Sequence, residues 1–172
     1  MLSLPERALA FASLKHEGQV RKYTGEPYIN HPIEVATILL NVACTPEMLA
    51  AAYLHDVIED CGVTANEIQE NFGYIVRVFV EGLTDVSKPE DGNRKLRKNL
   101  DRDHLATQLP NVKTIKLADL ISNSSSIMER DPKFAKVYMK EVEELLKVLV
   151  SGDVELWVKL YKIINRYKEE NL

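Results

Sequence analysis

The stretch Leu54-His55-Asp56-Val57-Ile58-Glu59-Asp60 follows directly on the apolar run Ala50-Ala51-Ala52-Tyr53. A solvent-exposed helix face is not the natural interpretation, because the histidine and the first aspartate come straight after residues typical of a core. If one helix continues through the stretch, its polar side chains lie one turn apart and project into a single sector. These candidate metal-binding and catalytic side chains are His55, Asp56, Glu59 and Asp60. The alternative is a surface turn with an acidic end.

Helix signals recur on both sides of this stretch, and strand signals do not. Ser3-Leu4-Pro5-Glu6 has the pattern of a capping box and predicts a first helix towards His16. Thr45 and Pro46 predict the start of the central helix, which should continue to about Asp60. Hydrophobic periodicity and Gly or Pro breaks predict a second helix that starts near Pro32. They also predict helices over 64–73, 74–82, 94–108 and 112–130, and two C-terminal helices separated by Gly152. We therefore predict an all-α fold in a single domain over residues 1–172.

The composition argues against a nucleic-acid-binding, membrane-spanning or disulfide-rich protein. The chain has 172 residues with 22 basic and 26 acidic side chains, and the net charge of −4 disfavours general nucleic-acid binding. No apolar run is long enough for a membrane span, and the first residues lack the pattern of a signal peptide. The two cysteines, Cys44 and Cys61, do not form a disulfide framework. We expect a soluble cytoplasmic protein without nucleic-acid or membrane partners.

Two further residues are candidate metal ligands. His31 lies where a loop runs into a helix, although a capping or packing role is common for a histidine there. Asp119 follows the apolar pair Leu117-Ala118 inside a predicted helix, and a buried aspartate needs a partner or a metal. Two histidines and two carboxylates suit Mn²⁺ or Fe²⁺ better than a thiolate-rich zinc site does.

The order of the motifs resembles a known family. A histidine, a His-Asp pair and a later aspartate are typical of HD phosphohydrolases. The longer set is similar to the hydrolase domain of RelA/SpoT alarmone enzymes, and the length resembles that of stand-alone small alarmone hydrolases of the metazoan SpoT-homologue type. The motifs occur as Arg21-Lys22, Gly25-Glu26-Pro27-Tyr28-Ile29-Asn30-His31-Pro32, Leu54–Asp60, Gly82-Leu83-Thr84-Asp85 and Lys116-Leu117-Ala118-Asp119.

The resemblance implies an all-α HD domain and a metal-dependent enzyme that removes the 3′-pyrophosphate of ppGpp or pppGpp. It implies one Mn²⁺ per chain, and the ligand types also allow Fe²⁺ or Co²⁺. It assigns catalytic roles to Glu59 and Asp60, without a departure from the family pattern. The implied metal ligands are His31, His55, Asp56 and Asp119.

The same resemblance implies residues that bind the anionic nucleotide. Arg21 and Lys22 match a family pair expected to contact guanine and phosphate, with a solvated basic loop as the alternative. Asn123 and Tyr138 match residues near the ribose, although Tyr138 also lies on an apolar helix stripe. A basic residue expected one turn before that tyrosine is missing, because Phe134 occupies the position; Lys133 is a possible substitute.

A basic run is the remaining candidate for binding the 5′-phosphates. Lys95 and Lys98 are its candidate contacts, and the alternative is a solvated helix face paired with nearby acids. The full run consists of Arg94, Lys95, Arg97, Lys98 and Arg102, with Asp101 and Asp103 between or beside them.

Three other functions compete with alarmone hydrolysis. The same metal site would serve a phosphatase for another phosphorylated nucleotide, such as NADPH or ppApp. A sensor that binds alarmone without cleaving it should lack part of the catalytic set, yet Glu59 and Asp60 are both present. A helical interaction protein has no need for the ordered histidines and acids. The sequence leaves the oligomeric state open.

Overall fold

Helices form almost all of the regular structure. The computed structural model describes residues 2–171, and within them an isolated antiparallel bridge between Val20 and Pro27 is the only β-type pairing. The predicted all-α class is confirmed. None of the helices described is both long and apolar enough to span a bilayer. The helices are α1 (Leu4–Lys15), α2 (Asn30–Leu39), α3 (Pro46–Leu54), α4 (Val57–Cys61), α5 (Ala65–Phe72), α6 (Tyr74–Leu83), α7 (Arg94–Ala106), α8 (Pro110–Arg130), α9 (Pro132–Leu146) and α10 (Val154–Glu170), with a 3₁₀ turn at Pro89–Asp91.

The chain forms two compact units, one ending at Thr84 and the other beginning at Asp85. In the first unit, α3 is central, because α1, α2 and α6 all pack against it. Three successive residues of α3, Ala50–Ala52, are fully buried. Their methyl side chains let neighbouring helices approach from several sides at the packing density of a protein interior. The unit thus holds the end of α3, where the His-Asp pair follows, in a fixed frame.

In the second unit, α8 packs against both α9 and α10. The buried residues of α9 are Ala135, Met139, Val142 and Leu146, a spacing that presents one apolar face. Gly152 lies where the loop before α10 approaches α8. A Cβ at this position would come within 2.9 Å of Leu117 Cδ1 and 3.2 Å of backbone atoms of Leu149 and Lys113, so a side chain would require these neighbours to shift. This close approach fixes the course of the chain into α10.

The sequence correctly predicted where a helix begins at positions where a side chain caps its first turn. Ser3 forms the full capping box at α1, and the Thr45 side chain caps α3. Thr64, at the start of the helix predicted over 64–73, caps α5 with its side chain, and Glu67 pairs with Lys15 on α1 at 3.0 Å. Thr64 therefore acts as a cap, whereas Glu67 contributes a tertiary contact.

Two predicted helix bounds are wrong. The second helix begins at Asn30, not near Pro32, because a proline in the first turn costs no helical hydrogen bond. The third helix ends at Leu54 and does not continue to about Asp60. Val57–Cys61 forms a separate short helix instead. The His-Asp pair therefore lies at the break, and Glu59 and Asp60 belong to the separate short helix.

A buried aspartate anchors the segment that precedes α7. Asp101 Oδ1 accepts hydrogen bonds from the backbone N–H groups of Val86 (3.1 Å) and Ser87 (2.9 Å). Its Oδ2 accepts from the Ser87 hydroxyl (3.0 Å) and from the Lys98 ammonium (3.3 Å). Burial alone would raise the pKa of Asp101, but these donors outweigh it and hold the pKa below the ordinary value.

We expect Asp101→Ala to destabilise the fold by about 3 kcal/mol, because it leaves two backbone donors without their acceptor and removes one of the two carboxylates that contact Lys98. Urea unfolding measures this change. Asp103→Asn is the matched control on the same helix, since its side chain is 69% exposed, and should stay within about 0.5 kcal/mol of the parent. Because the folded pKa of Asp101 is depressed, its contribution is present above about pH 4 and declines as the pH falls through the folded pKa. An equal loss in both variants would contradict the anchoring role.

Candidate active site

The His-Asp pair occupies the break between α3 and α4. His55 keeps helical backbone angles, whereas Asp56 lies at φ −98° and ψ −5°, in the region typical of turns. The carbonyls at the end of a helix lack helical partners, and the imidazole of His55 supplies one: its Nδ1 lies 2.9 Å from the Ala52 oxygen. The break thus turns both side chains away from the axis of α3 while the imidazole stays anchored to that helix.

Three predicted ligands come together in the first unit. One potential ligand atom from each of His31, His55 and Asp56 lies within 4.8 Å of the others. Asp56 Oδ2 is 2.9 Å from His55 Nε2 and 3.9 Å from His31 Nε2. Both histidines are buried, and His31 belongs to the first turn of α2. The geometry favours the ligand interpretation of His31 over a simple cap.

The hydrogen bond at Nδ1 determines which face of His55 can bind a metal. Since Nδ1 donates its proton to the Ala52 carbonyl in the neutral ring, Nε2 carries the lone pair. That nitrogen faces a carboxylate oxygen of Asp56 at 2.9 Å. Two electron-rich atoms at this distance are stabilised by a proton or a cation shared between them. Two imidazoles and a carboxylate therefore fit a divalent transition metal, with further positions left for other ligands.

Tyr28 is a site residue that the sequence analysis did not single out. Its hydroxyl donates a 2.6 Å hydrogen bond to Asp56 Oδ2. Its ring contacts the ring of His31, with centroids 6.0 Å apart, and the ring of His16 at 4.8 Å. The available signal was position alone, because a tyrosine three residues before a ligand at the start of a helix can face the same site.

The predicted catalytic pair lies on α4. Glu59 and Asp60 are both exposed, so they can meet a ligand without unfolding the core. Burial of the carboxyl atoms, and then the negative charge of Asp56, raise the pKa of Asp60; a hydrogen bond from Tyr28 acts in the opposite direction. Two carboxyls beside a metal-ligand cluster provide candidate groups for orienting a water molecule and accepting its proton.

Cys61, the last residue of α4, is a half-buried thiol beside a buried imidazole. Its Sγ lies 3.3 Å from His16 Nδ1. Burial, followed by the charge of Asp60, raises the pKa of the Cys61 thiol. A thiol whose pKa is raised is a poor nucleophile, so nothing here indicates an activated thiolate at Cys61.

A small hairpin carries the first pair of predicted substrate contacts. The backbone N–H of Arg21 donates to the Glu26 carbonyl at 2.8 Å and closes the turn. The Arg21 guanidinium lies 3.3 Å from Glu34, whereas Lys22 is exposed, with its ammonium 5.0 Å from the centroid of the Tyr23 ring. Lys22 is thus accessible to an anion. Nucleotide binding by the pair stays a prediction.

Asp119 lies in the second unit, where neighbours on α8 engage both of its oxygens. Lys116 Nζ is 2.8 Å from Oδ2, and Asn123 Nδ2 donates to Oδ1 at 2.7 Å. The carboxylate is buried, and these two partners offset its desolvation. Its role as a metal ligand and the role of Asn123 in substrate binding stay predictions.

Tyr138 on α9, in the same unit, is half-buried as a residue, and its hydroxyl oxygen is buried. Burial, and then the negative charge of Asp119, raise the pKa of its hydroxyl far above the ordinary value, with Ser124 as a nearby hydroxyl. The phenol is therefore neutral and can act only as a hydrogen-bonding group. Its predicted contact with the sugar remains a prediction beside the core role.

Most of the basic run on α7 is paired with acids. Lys98 lies 2.6 Å from Asp85 and 3.3 Å from Asp101, and Arg94 forms two hydrogen bonds with Glu141. Arg102 likewise lies beside Asp103 and Glu144. Lys95 is exposed. The structure thus supports the paired-face alternative for much of the run and leaves Lys95 as its most accessible candidate.

Comparisons with known proteins show the family to which the chain is related. The HD domain family model matches residues 8–145. The chain is 35% identical over 173 residues to the guanosine-3′,5′-bis(diphosphate) 3′-pyrophosphohydrolase of Aquifex aeolicus (strain VF5), covering 95% of this chain and 25% of that protein. It is 42% identical over 122 residues to human guanosine-3′,5′-bis(diphosphate) 3′-pyrophosphohydrolase MESH1, covering 67% of this chain and 65% of that one.

A solved structure is similar to this chain over nearly its whole length. A metazoan ortholog of SpoT that hydrolyses ppGpp matches with a TM-score of 0.86 and 28% identity, over 97% of both chains. The bacterial relative is much longer, and this chain spans only a quarter of its length. The family match, in contrast, extends over most of the chain and includes the His31–His55–Asp56 cluster. The chain belongs to the HD domain family.

Proposed function

We propose that the protein is a metal-dependent (p)ppGpp 3′-pyrophosphohydrolase, which converts ppGpp to GDP, or pppGpp to GTP, and releases pyrophosphate. The observation that carries the proposal is the buried His31–His55–Asp56 cluster, followed on α4 by the acidic pair Glu59-Asp60. The reaction named for the Aquifex and human relatives, and the ppGpp hydrolysis of the metazoan SpoT ortholog, support the choice of substrate.

The proposed metal site holds one divalent ion, with Mn²⁺ as the first candidate and Fe²⁺ or Co²⁺ as the others. The clustered histidines and Asp56 are three of its ligands. We assign Asp119 as the fourth from the order of motifs in the sequence. A metal ion bound to Asp119 would compete with Lys116 for the carboxylate. On binding the metal, Asp119 would therefore exchange the Lys116 ammonium for another positive partner.

The same order of motifs leads us to treat residues 1–172 as a single HD-type phosphohydrolase domain. The family match runs without interruption from residue 8 to residue 145, past the boundary at Thr84 between the two compact units. Expression of the chain up to Thr84 alone tests this assignment. We expect that fragment to lack hydrolase activity.

The chemistry requires a water molecule, an electrophilic phosphorus and a base. A bound divalent ion lowers the pKa of water and neutralises charge on phosphate oxygens. Glu59 orients the attacking water and accepts its proton, with Asp60 beside it. The water oxygen forms a bond to the phosphorus attached to the ribose 3′-oxygen, and the bond between this phosphorus and the 3′-oxygen breaks. Pyrophosphate leaves with the water oxygen, and the nucleotide regains its 3′-hydroxyl.

A substrate this anionic needs local positive charge in a protein whose net charge is −4. We assign Arg21 and Lys22 to guanine and phosphate, and Asn123 and Tyr138 to the ribose side. For the 5′-phosphates we retain both Lys95 and Lys98. Lys95 is the more available, because Lys98 must first give up its contacts with two aspartates. The cytoplasm remains the expected location.

Product analysis tests the reaction and its metal dependence. Protein stripped with a chelator should be inactive, and Mn²⁺ should restore stoichiometric GDP and pyrophosphate from ppGpp. NADPH, ppApp and a deoxynucleoside triphosphate run in parallel measure specificity. Phosphate release from NADPH, or pyrophosphate release from ppApp, with ppGpp left intact would keep the metal site and move the function to another nucleotide. Full activity in the stripped, metal-free protein would overturn the proposed mechanism.

A further inference from the structure

Tyr28 joins the hairpin to the candidate metal centre. Its backbone N–H donates to the Gln19 carbonyl at 2.9 Å and so closes the base of the hairpin. Its side chain reaches Asp56, where the hydroxyl donates to Oδ2 at 2.6 Å. One residue therefore touches both the segment bearing Arg21 and Lys22 and a carboxylate of the metal-ligand cluster.

The Tyr28 ring is held in place on two sides. The His16 ring lies 4.8 Å away at an interplanar angle of 34°, and the His31 ring meets it edge-on at 6.0 Å. His16 is 3% exposed and is itself fixed by Gln19 Oε1 at 2.8 Å and by the Cys61 thiol at 3.3 Å. A ring fixed in this way presents its hydroxyl to Asp56 at a defined position.

The Asp56 carboxylate is contacted at Oδ2 both by the Tyr28 hydroxyl, at 2.6 Å, and by His55 Nε2, at 2.9 Å. Its side chain is 18% exposed and leaves a backbone turn rather than a helix. A carboxylate in such a position can rotate towards solvent, and each rotation removes an oxygen from the two imidazoles. A short hydrogen bond to Oδ2 opposes this rotation. Outer partners of this kind orient metal ligands and typically contribute about 10–100-fold in metal affinity.

We propose that Tyr28 is a positioning residue, whose hydroxyl holds the Asp56 carboxylate against the two imidazoles and so preorganises the metal site. The inference rests on the proposed metal-dependent function and adds to it a residue outside the ligand set.

Tyr28→Phe tests the inference, since it removes the hydroxyl and keeps the ring. Titration of the metal-free protein with Mn²⁺, with free Mn²⁺ followed by electron paramagnetic resonance, should show affinity at least about tenfold weaker than the parent. Tyr74→Phe is the matched control in the same unit, because Tyr74 is 68% exposed, and its affinity should be unchanged. Thermal unfolding should show a smaller metal-induced rise in Tm for Tyr28→Phe.

The outcomes separate this inference from the proposed function. If the parent protein binds no Mn²⁺, Fe²⁺ or Co²⁺, the proposed function itself fails. If the parent binds Mn²⁺ and Tyr28→Phe binds it equally well, Tyr28 is not a positioning residue and the proposed function survives. A lower Tm of the metal-free variant with unchanged affinity would mean a merely structural role and would also overturn the inference.

A second measurement covers the case in which Tyr28→Phe folds poorly. The loss of Tm caused by Tyr28→Phe is compared in the parent and in the Asp56→Asn background, both without metal. A hydroxyl that acts through the Asp56 carboxylate should cost less in that background. An equal loss in both backgrounds would assign the effect to packing of the ring and contradict the inference.

Discussion

Replacing Asp56 by alanine is expected to remove the bound metal and the hydrolytic activity together. Asp56 Oδ2 lies near Nε2 of both His55 and His31, so the variant leaves two imidazoles without the anionic ligand between them. We expect Mn²⁺ affinity to fall by more than about 100-fold, beyond the range typical of outer partners. Elemental analysis after gel filtration and the ppGpp assay measure the two losses on the same sample.

Asp103→Ala is the control for this variant, since that exposed carboxylate on α7 lies outside the proposed ligand set. His55→Ala should behave like Asp56→Ala. Asp119→Ala examines the fourth ligand, which is assigned from sequence alone, and should also lose metal. Retained metal with normal turnover in the Asp56 variant would remove Asp56 from the ligand set.

Glu59→Gln is expected to retain the metal and lose most of the rate. The amide keeps the size of the side chain but cannot accept a proton from water, and removal of a positioned base typically costs about 10²–10⁴-fold. Because Glu59 is exposed on α4, the stability and metal content of the Glu59→Gln variant should match those of the parent protein. Single-turnover hydrolysis of ppGpp at saturating Mn²⁺ measures the change.

Glu70→Gln on α5 serves as the matched control, because it changes an exposed glutamate of the same unit. Asp60→Asn, run alongside, distinguishes the two members of the acidic pair. If the Glu59 variant comes through purification with an empty metal site, Glu59 supports the site structurally and is not the base.

Helix starts were predictable because their signals are local. Ser3, Thr45 and Thr64 cap the helices that follow them, as their sequences indicate. The break after Leu54 was not predictable, because neither glycine nor proline marks it. Its stabilisation comes from a side chain, through the contact between the His55 ring and the Ala52 carbonyl.

Some residues of the candidate site could be identified from the sequence, and others could not. The order of histidines and acids, through its resemblance to the HD pattern, singled out His31, His55 and Asp56, and the structure brings these three candidate ligands together. The role of the basic run was left open, because its partners Asp85 and Glu141 lie 13 and 47 residues from the bases they bind. Tyr28 was missed, since its contact with Asp56 spans 28 residues and appears only once the chain is folded.

The three buried alanines of α3 limit which side chains the centre of the first unit can accept. Residues 50–52 are enclosed by neighbouring helices, so added methylene groups there would overpack the interior at a typical cost of about 1–3 kcal/mol. Larger side chains at these three positions would disturb the helices that hold the His-Asp pair, whereas the exposed side chains of Lys22 and Lys95 can be replaced without overpacking the core.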